Sequence, residues 1–160
     1  MRRVAAAGLA LGLALAGCGE TEKSGSTGDE LRAEDLAVTV ERVDRRTRSP
    51  RNDITGLSVP SSGYRLVGVL AKVCSGWGAA IGPYDFSVES SAGDGRPKYS
   101  ARNYSRRFEP VRDDCGRGWI VFEVPRDSNP TKVRFSFDDT GRPGAGGDDG
   151  VSARFEWKVE

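Results

Sequence analysis

The sequence predicts an all-β protein, a two-sheet β-sandwich of about seven strands set behind a leader and a linker. Three observations predict it. Apolar residues alternate with polar ones at period two in several stretches of the 160-residue chain. Clusters of Gly, Pro, Asn, Asp and Ser separate those stretches. No stretch after residue 17 carries a helical apolar stripe. Most of the strands offer one apolar face, and two sheets hide such faces by covering each other. A small barrel is the competing architecture, which the pattern alone leaves open.

The chain opens with a positive Met1-Arg2-Arg3, followed by Val4–Ala16, apolar apart from Gly8 and Gly12 and free of charge. A spanning helix needs about 20 apolar residues, so this run is too short to remain in a bilayer but suits a signal-peptide core. It ends at Leu15-Ala16-Gly17-Cys18. That tetrad resembles the lipobox of bacterial lipoproteins, where the thiol of Cys18 accepts a diacylglycerol and the leader 1–17 is removed. The plainer alternative is a chance cysteine after an ordinary signal peptide. An anchor of two or three acyl chains (palmitate or its like) holds stably where one holds marginally. The expected placement is therefore the extracellular face of the cell membrane.

Loss of the leader removes Arg2 and Arg3 and no acid, which leaves 22 basic against 23 acidic side chains, a formal charge of −1. Bulk attraction to nucleic acid is not expected from that balance. With Cys18 assigned to lipid, Cys74 and Cys115 remain, and outside the membrane a disulfide between them is the expected state, a free thiol or metal site being the alternative. Gly19–Glu30 holds no apolar residue and reads as a flexible tether with a reach of about 20 Å. The division is then leader 1–17, lipid-anchored Cys18 and linker 18–35, and a sandwich domain 36–160.

Within the domain, Leu36, Val38 and Val40 begin the first strand, and Asp44 to Gly63 is a long loop rich in Arg, Ser and Pro. Tyr64–Cys74 is apolar on both faces, as a central strand is. Ser75-Gly76-Trp77-Gly78 breaks it, and Tyr84, Phe86 and Val88 alternate in the next. Gly93-Asp94-Gly95 signals a turn before a short return strand over Lys98–Ala101, and Arg102–Gly118 is loop. Trp119–Val124 is a strand stopped by Pro125, Asp127-Ser128-Asn129-Pro130 is a turn, and Lys132–Asp138 sets Val133, Phe135 and Phe137 on one face. After a second loop, Gly141–Gly150, the closing strand alternates Val151, Ala153, Phe155, Trp157 and Val159 with polar residues. Trp119 and Trp157 are expected in the core.

Gly116-x-Gly118-Trp119-Ile120-Val121-Phe122-Glu123-Val124-Pro125, then Val133-x-Phe135 and Phe155-x-Trp157, resembles a family of small Gram-positive (actinobacterial) lipoproteins. Tyr84-Asp85-Phe86-Ser87-Val88 with the Gly-Asp-Gly motif and Tyr99 fits the same family, and the likeness covers Leu36 to Glu160. It implies an immunoglobulin-like domain of unknown function, related in fold to a secreted mycobacterial immunoprotective antigen, and it supplies no catalytic residues. Many relatives have Asn where Cys74-Ser75-Gly76 stands here, which implies a disulfide-bearing branch.

The chemistry on offer is sparse. The chain has no histidine, and no Ser-x-x-Lys motif stands in for a serine–histidine pair, so no enzyme and no cofactor are expected. Transition-metal ligands are missing once the cysteines are spent. The doublets Asp113-Asp114, Asp138-Asp139 and Asp148-Asp149 match no calcium-loop spacing and read more simply as turn formers. Two arginine groups are the best binding candidates: Arg42, Arg45, Arg46, Arg48 and Arg51, and Arg102, Arg106, Arg107 and Arg112. If both lie at one end of the sandwich they form a rim for anionic headgroups or wall polymer, against the plainer reading of solvated loops. Trp77, between two glycines, either packs on the Cys74 disulfide or offers its ring to a ligand. The expected function is a membrane-anchored, non-enzymatic binding module for an envelope protein or anionic polymer. The alternatives are an accessory subunit of a membrane-protein complex and, more remotely, a hydrolase.

Overall fold

A computed structural model describes residues 21–45, 60–76, 80–97, 108–112, 114–138 and 152–160. Among the described residues nine strands form: β1 Thr21–Ser26, β2 Glu30–Ala33, β3 Leu36–Asp44, β4 Tyr64–Ser75, β5 Phe86–Ser90, β6 Gly93–Pro97, β7 Cys115–Pro125, β8 Pro130–Asp138 and β9 Ser152–Lys158. One sheet runs β1-β9-β8-β5-β6 and the other β6-β7-β4-β3-β2, so that β6 belongs to both. The result is the immunoglobulin-like, two-sheet sandwich that the sequence predicts. β1 and β2, which the alternation pattern does not announce, are its outermost strands.

The core lies between the sheets. Phe86, Phe135, Phe155 and Trp157 form a continuous row, with ring centroids 5.1, 5.8 and 6.0 Å apart along it. Phe108 packs edge-on against Phe86 at 5.9 Å. Val67, Val69, Ala71 and Val73 of β4, Ile120, Phe122 and Val124 of β7, and Leu36, Val38 and Val40 of β3 close over them, all buried. Each aromatic contact adds about 0.5–1.5 kcal/mol beyond area burial, so the row is the most concentrated source of stability in the domain. Period-two alternation puts those residues inward, and β4 is apolar on both faces because it is central in its sheet.

Five expectations need correction. Residues 21–33 are not a tether: β1 pairs in parallel with β9 from Thr21↔Ala153 to Ser26↔Lys158, and β2 pairs with β3. The domain therefore begins at Thr21 and not at residue 36. Gly93-Asp94-Gly95 is not a turn but the start of β6, and the turn is Ser91-Ala92. Here the chain passes from one sheet to the other, and a Cβ on Gly95 would lie 2.7 Å from Val124 Cγ1, so only glycine fits the crossing. Tyr84 belongs to a short 3-10 turn, Pro83–Asp85, and β7 starts four residues before Trp119. Trp119 is half-buried on the outer face, with the Arg42 guanidinium 4.8 Å above its ring. The expected strand over Lys98–Ala101 and the loop Gly141–Gly150 lie outside the described residues.

Cys74 and Cys115 are bonded, as the cysteine count predicts. They are direct cross-strand neighbours on β4 and β7, with Cα atoms 4.0 Å apart. The bridge lies within one sheet and on its outer face, since Cys74 is half-buried and Cys115 exposed. It does not join the two sheets.

On the outer face of the other sheet, charges alternate across the strands. Arg134 of β8 pairs with Glu89 of β5 and, at 3.3 Å, with Glu156 of β9. Lys132 reaches Glu156 at 3.0 Å, and Arg154 reaches Glu22 of β1 at 3.9 Å. The Lys132 hydrogen bond holds the Glu156 carboxyl below its ordinary value, with Arg134 assisting and desolvation opposing.

Two outcomes follow for stability. Replacement of both cysteines (C74S/C115S) releases a loop of 41 residues' separation and costs up to about 4 kcal/mol in the chain-entropy model, with the core unchanged. Urea midpoints check this: reductant lowers the wild-type midpoint toward that of the variant and leaves the variant where it is. For the ladder, a lowered carboxyl stabilises above its unfolded value of about 4.3, and the contribution is lost as pH falls through the folded value. E156Q therefore costs roughly 0.5–1 kcal/mol at pH 7 in low salt and progressively less on acidification toward pH 3, as wild type loses the same charge through its lowered folded value. Urea unfolding at the two pH values checks it.

Candidate functional site

The strand register gives the sandwich two distinct ends. At one, Tyr64 pairs with Pro125 as β4 begins and β7 stops. At the other, Cys74 pairs with Cys115, and Leu36 pairs with Ser75. The first arginine group leaves β3 at the Tyr64 end, because Asp44 pairs with Gly68 and Arg45 follows. The second enters β7 at the opposite end: Val111 bridges to Ile81, and the Asp114 carbonyl accepts from the Ser75 amide. Of their described members, Arg42 lies within β3, and Arg45 and Arg112 stand at opposite ends and form no common rim. Arg46, Arg48, Arg106, Arg107, Trp77 and Cys18 lie outside the described residues.

At the Tyr64 end the structure brings Arg45 to two arginines that sequence reasoning missed. Arg65 is the second residue of β4, and Arg126 follows β7 directly. With Leu66, Asp127, Ser128 and Asn129 they line an open pocket of about 550 Å³. The pocket floor is a turn: the Ser128 amide and hydroxyl both donate to the Pro125 carbonyl, at 3.1 and 2.7 Å, and the Arg126 amide donates to the Gly63 carbonyl at 2.8 Å. Arg65 then staples the elements together, donating to the Ser128 carbonyl at 2.5 Å and to the carbonyl of Arg45. Arg45 donates to the main-chain oxygens of Val159, at 3.4 Å, and Glu160.

A guanidinium has five N–H donors, so these bonds fix the orientation of Arg45 and Arg65 without using up their capacity. Arg126 is exposed at the rim. Three guanidinium groups face one lining carboxylate, Asp127. Such an arrangement suits an anion with several oxygen acceptors, and bidentate geometry favours carboxylate or phosphate.

A second cleft, of about 700 Å³, overlies the charge ladder between β1, β9, β8 and β5. Of its lining cations Lys23, Arg134 and Arg154, the two arginines are already paired with Glu89, Glu156 and Glu22, and Glu22 and Glu156 are themselves in the lining. It offers little uncompensated charge, and for that reason the arginine pocket is the stronger binding candidate.

Comparison with known proteins concerns the fold. No family model matches the chain, and no curated protein matches it. Among solved structures it is similar to the secreted protein MPT63 of Mycobacterium tuberculosis, at 18% identity over 84% of this chain and 95% of that one, with a TM-score of 0.50. It is also similar to the Bacillus subtilis protein ycdA, at 14% identity over 81% of this chain and 38% of that one, with a TM-score of 0.48. An uncharacterized β-sandwich protein of Clostridium difficile matches at 10% identity over 88% of this chain and 97% of that one, with a TM-score of 0.44. The first of these places the chain in the β-sandwich fold of a secreted mycobacterial protein, the fold relation that the strand motifs imply.

Proposed function

We propose that the protein is a non-enzymatic, lipid-anchored module at the outer face of the membrane that binds an anionic polymer of the cell envelope. The observation that carries this is the pocket of Arg45, Arg65 and Arg126, three cations against the single carboxylate of Asp127. The leader ending at Cys18, the disulfide expected of an oxidising compartment and the fold shared with a secreted protein support the extracellular placement. Membership of the Gram-positive lipoprotein family belongs to the same reading. An electrostatic pocket of this kind gives affinity that falls with ionic strength.

The test uses acylated protein in phosphatidylcholine vesicles and soluble poly(glycerol phosphate) as the probe. R126A removes a charge-assisted contact without breaking the staples made by Arg45 and Arg65, and weakens binding by about tenfold, the equivalent of roughly 1.4 kcal/mol. Binding by wild type weakens further as salt is raised. Equal binding by wild type and R126A contradicts the reading. Recovery from cells of a stoichiometric protein complex that withstands salt favours the accessory-subunit alternative instead.

A further inference from the structure

The geometry points to a fixed orientation of the domain on the membrane: the end that carries Thr21, Tyr84 and Cys74 rests against the phospholipid headgroups, and the arginine pocket points away from them. This rests on the proposed acylation of Cys18 and adds to it what the position of β1 dictates.

Only Gly19 and Glu20 separate Cys18 from Thr21. Three peptide steps span at most about 11 Å when fully extended, half of the reach that a twelve-residue tether would have. Thr21 is not free to move, because it is in register with Ala153 as the first pair of the β1–β9 ladder. An acyl chain on Cys18 lies in the hydrocarbon layer, and the headgroup zone beyond that layer is about 5–8 Å deep on each side. Thr21 is therefore held at the headgroup boundary, and the end of the sandwich around it is held there too.

The sheet register identifies that end. Ala153 follows Ser152, which pairs with Asp138 at the end of β8. Phe86 pairs with Phe135, so the Pro83–Asp85 turn that precedes it lies toward the same end. Tyr84 in that turn is 67% exposed, the most exposed large side chain among the described hydrophobic residues, and tyrosine is favoured at the headgroup level. In the other sheet, β2 runs back from the Thr27–Asp29 turn, and the Gly76 amide donates to the Asp35 carbonyl at 3.1 Å beside the Cys74 end. The arginine pocket is at the opposite end, where Arg45 holds Val159 and Glu160. The seven residues of β9 alone separate the two ends by roughly 20 Å.

Charge would not choose this orientation. Among the described residues at its edge, the membrane-side end exposes Glu34, Asp35, Asp114 and Asp138 beside Arg112, a net acidic balance that anionic lipid repels, whereas the cationic pocket is the end that such lipid attracts. The short covalent link overrides that preference, and it leaves the pocket directed at polymer outside the membrane and not at headgroups beneath it.

The test places a benzophenone photocrosslinker in the acylated protein, in vesicles containing phosphatidylglycerol, by Tyr84→p-benzoylphenylalanine or Asn129→p-benzoylphenylalanine. Mass spectrometry of the same samples reads the state of Cys18. The expected result is lipid adducts from position 84 and none above background from position 129. A fifteen-residue Gly/Ser spacer inserted after Glu20 lowers the yield at 84 by roughly tenfold, as the effective concentration of headgroups falls with tether length. Equal adducts at both positions on diacylated protein, or a yield at 84 indifferent to the spacer, overturn the orientation and leave the anchor standing. An unmodified Cys18 overturns the anchor, and the orientation with it.

Discussion

The indole N–H of Trp157, fully buried, donates to the Asp29 carbonyl at 2.9 Å, and the closed edge of the sandwich depends on that bond. A buried donor without a partner costs more than the bond contributes, so Trp157 and the β1–β2 turn constrain each other. The turn itself is tight: Asp29 accepts from the Ser26 amide at 2.7 Å, and the Gly28 amide reaches the Val40 carbonyl at 2.8 Å. A Cβ on Gly25 would stand 2.9 Å from Asp29 Oδ2, so this part of β1 has room only for glycine. One turn thereby joins β1 on the first sheet to β2 on the second. At the other edge β6 makes the corresponding link. The sandwich is laced at both margins, and the aromatic row between the sheets is shielded along its length.

That closure gives the two ends of the domain their separate characters. The end formed by the starts of β1 and β9 receives the segment that leads back to Cys18. The other gathers backbone carbonyls from three turns and the C-terminal residues, and Arg45 and Arg65 satisfy several of them. Arginines that act as structural staples also gather positive charge in one place. The pocket is thus partly a consequence of how the strand ends are tied, and its capacity for anions comes from the donors that remain. The charge ladder on the outer face of β8 and β9 is the contrast: the same residue types there neutralise each other.

Strands with one strictly apolar face could be read directly. Val133, Phe135 and Phe137, and Ala153, Phe155 and Trp157, are all buried as their alternation requires. β1 could not, because Thr-Glu-Lys-Ser-Gly-Ser has no apolar face, and its partner is the backbone edge of β9 some 130 residues away. β6 reads as a turn because glycine serves turns and close crossings alike. Trp119 lies on a strand that is apolar on both faces, so alternation cannot say which face is inward. For the pocket, Arg45 stood out as a member of a cluster, whereas Arg65 and Arg126 are isolated in sequence. They meet only because Tyr64 pairs with Pro125. The cysteine pairing was legible by count, but its place on an outer face was not.

Both the closure of the sandwich and the position of Thr21 follow from β1 being part of the folded domain and not a tether. Amide hydrogen exchange on the protein is the decisive measurement. Ladder amides across Thr21–Ser26 are expected to exchange at least about a hundredfold more slowly than in an unstructured peptide, in step with those of β9. Exchange of that segment at the unstructured rate, while β9 stays protected, would contradict the account.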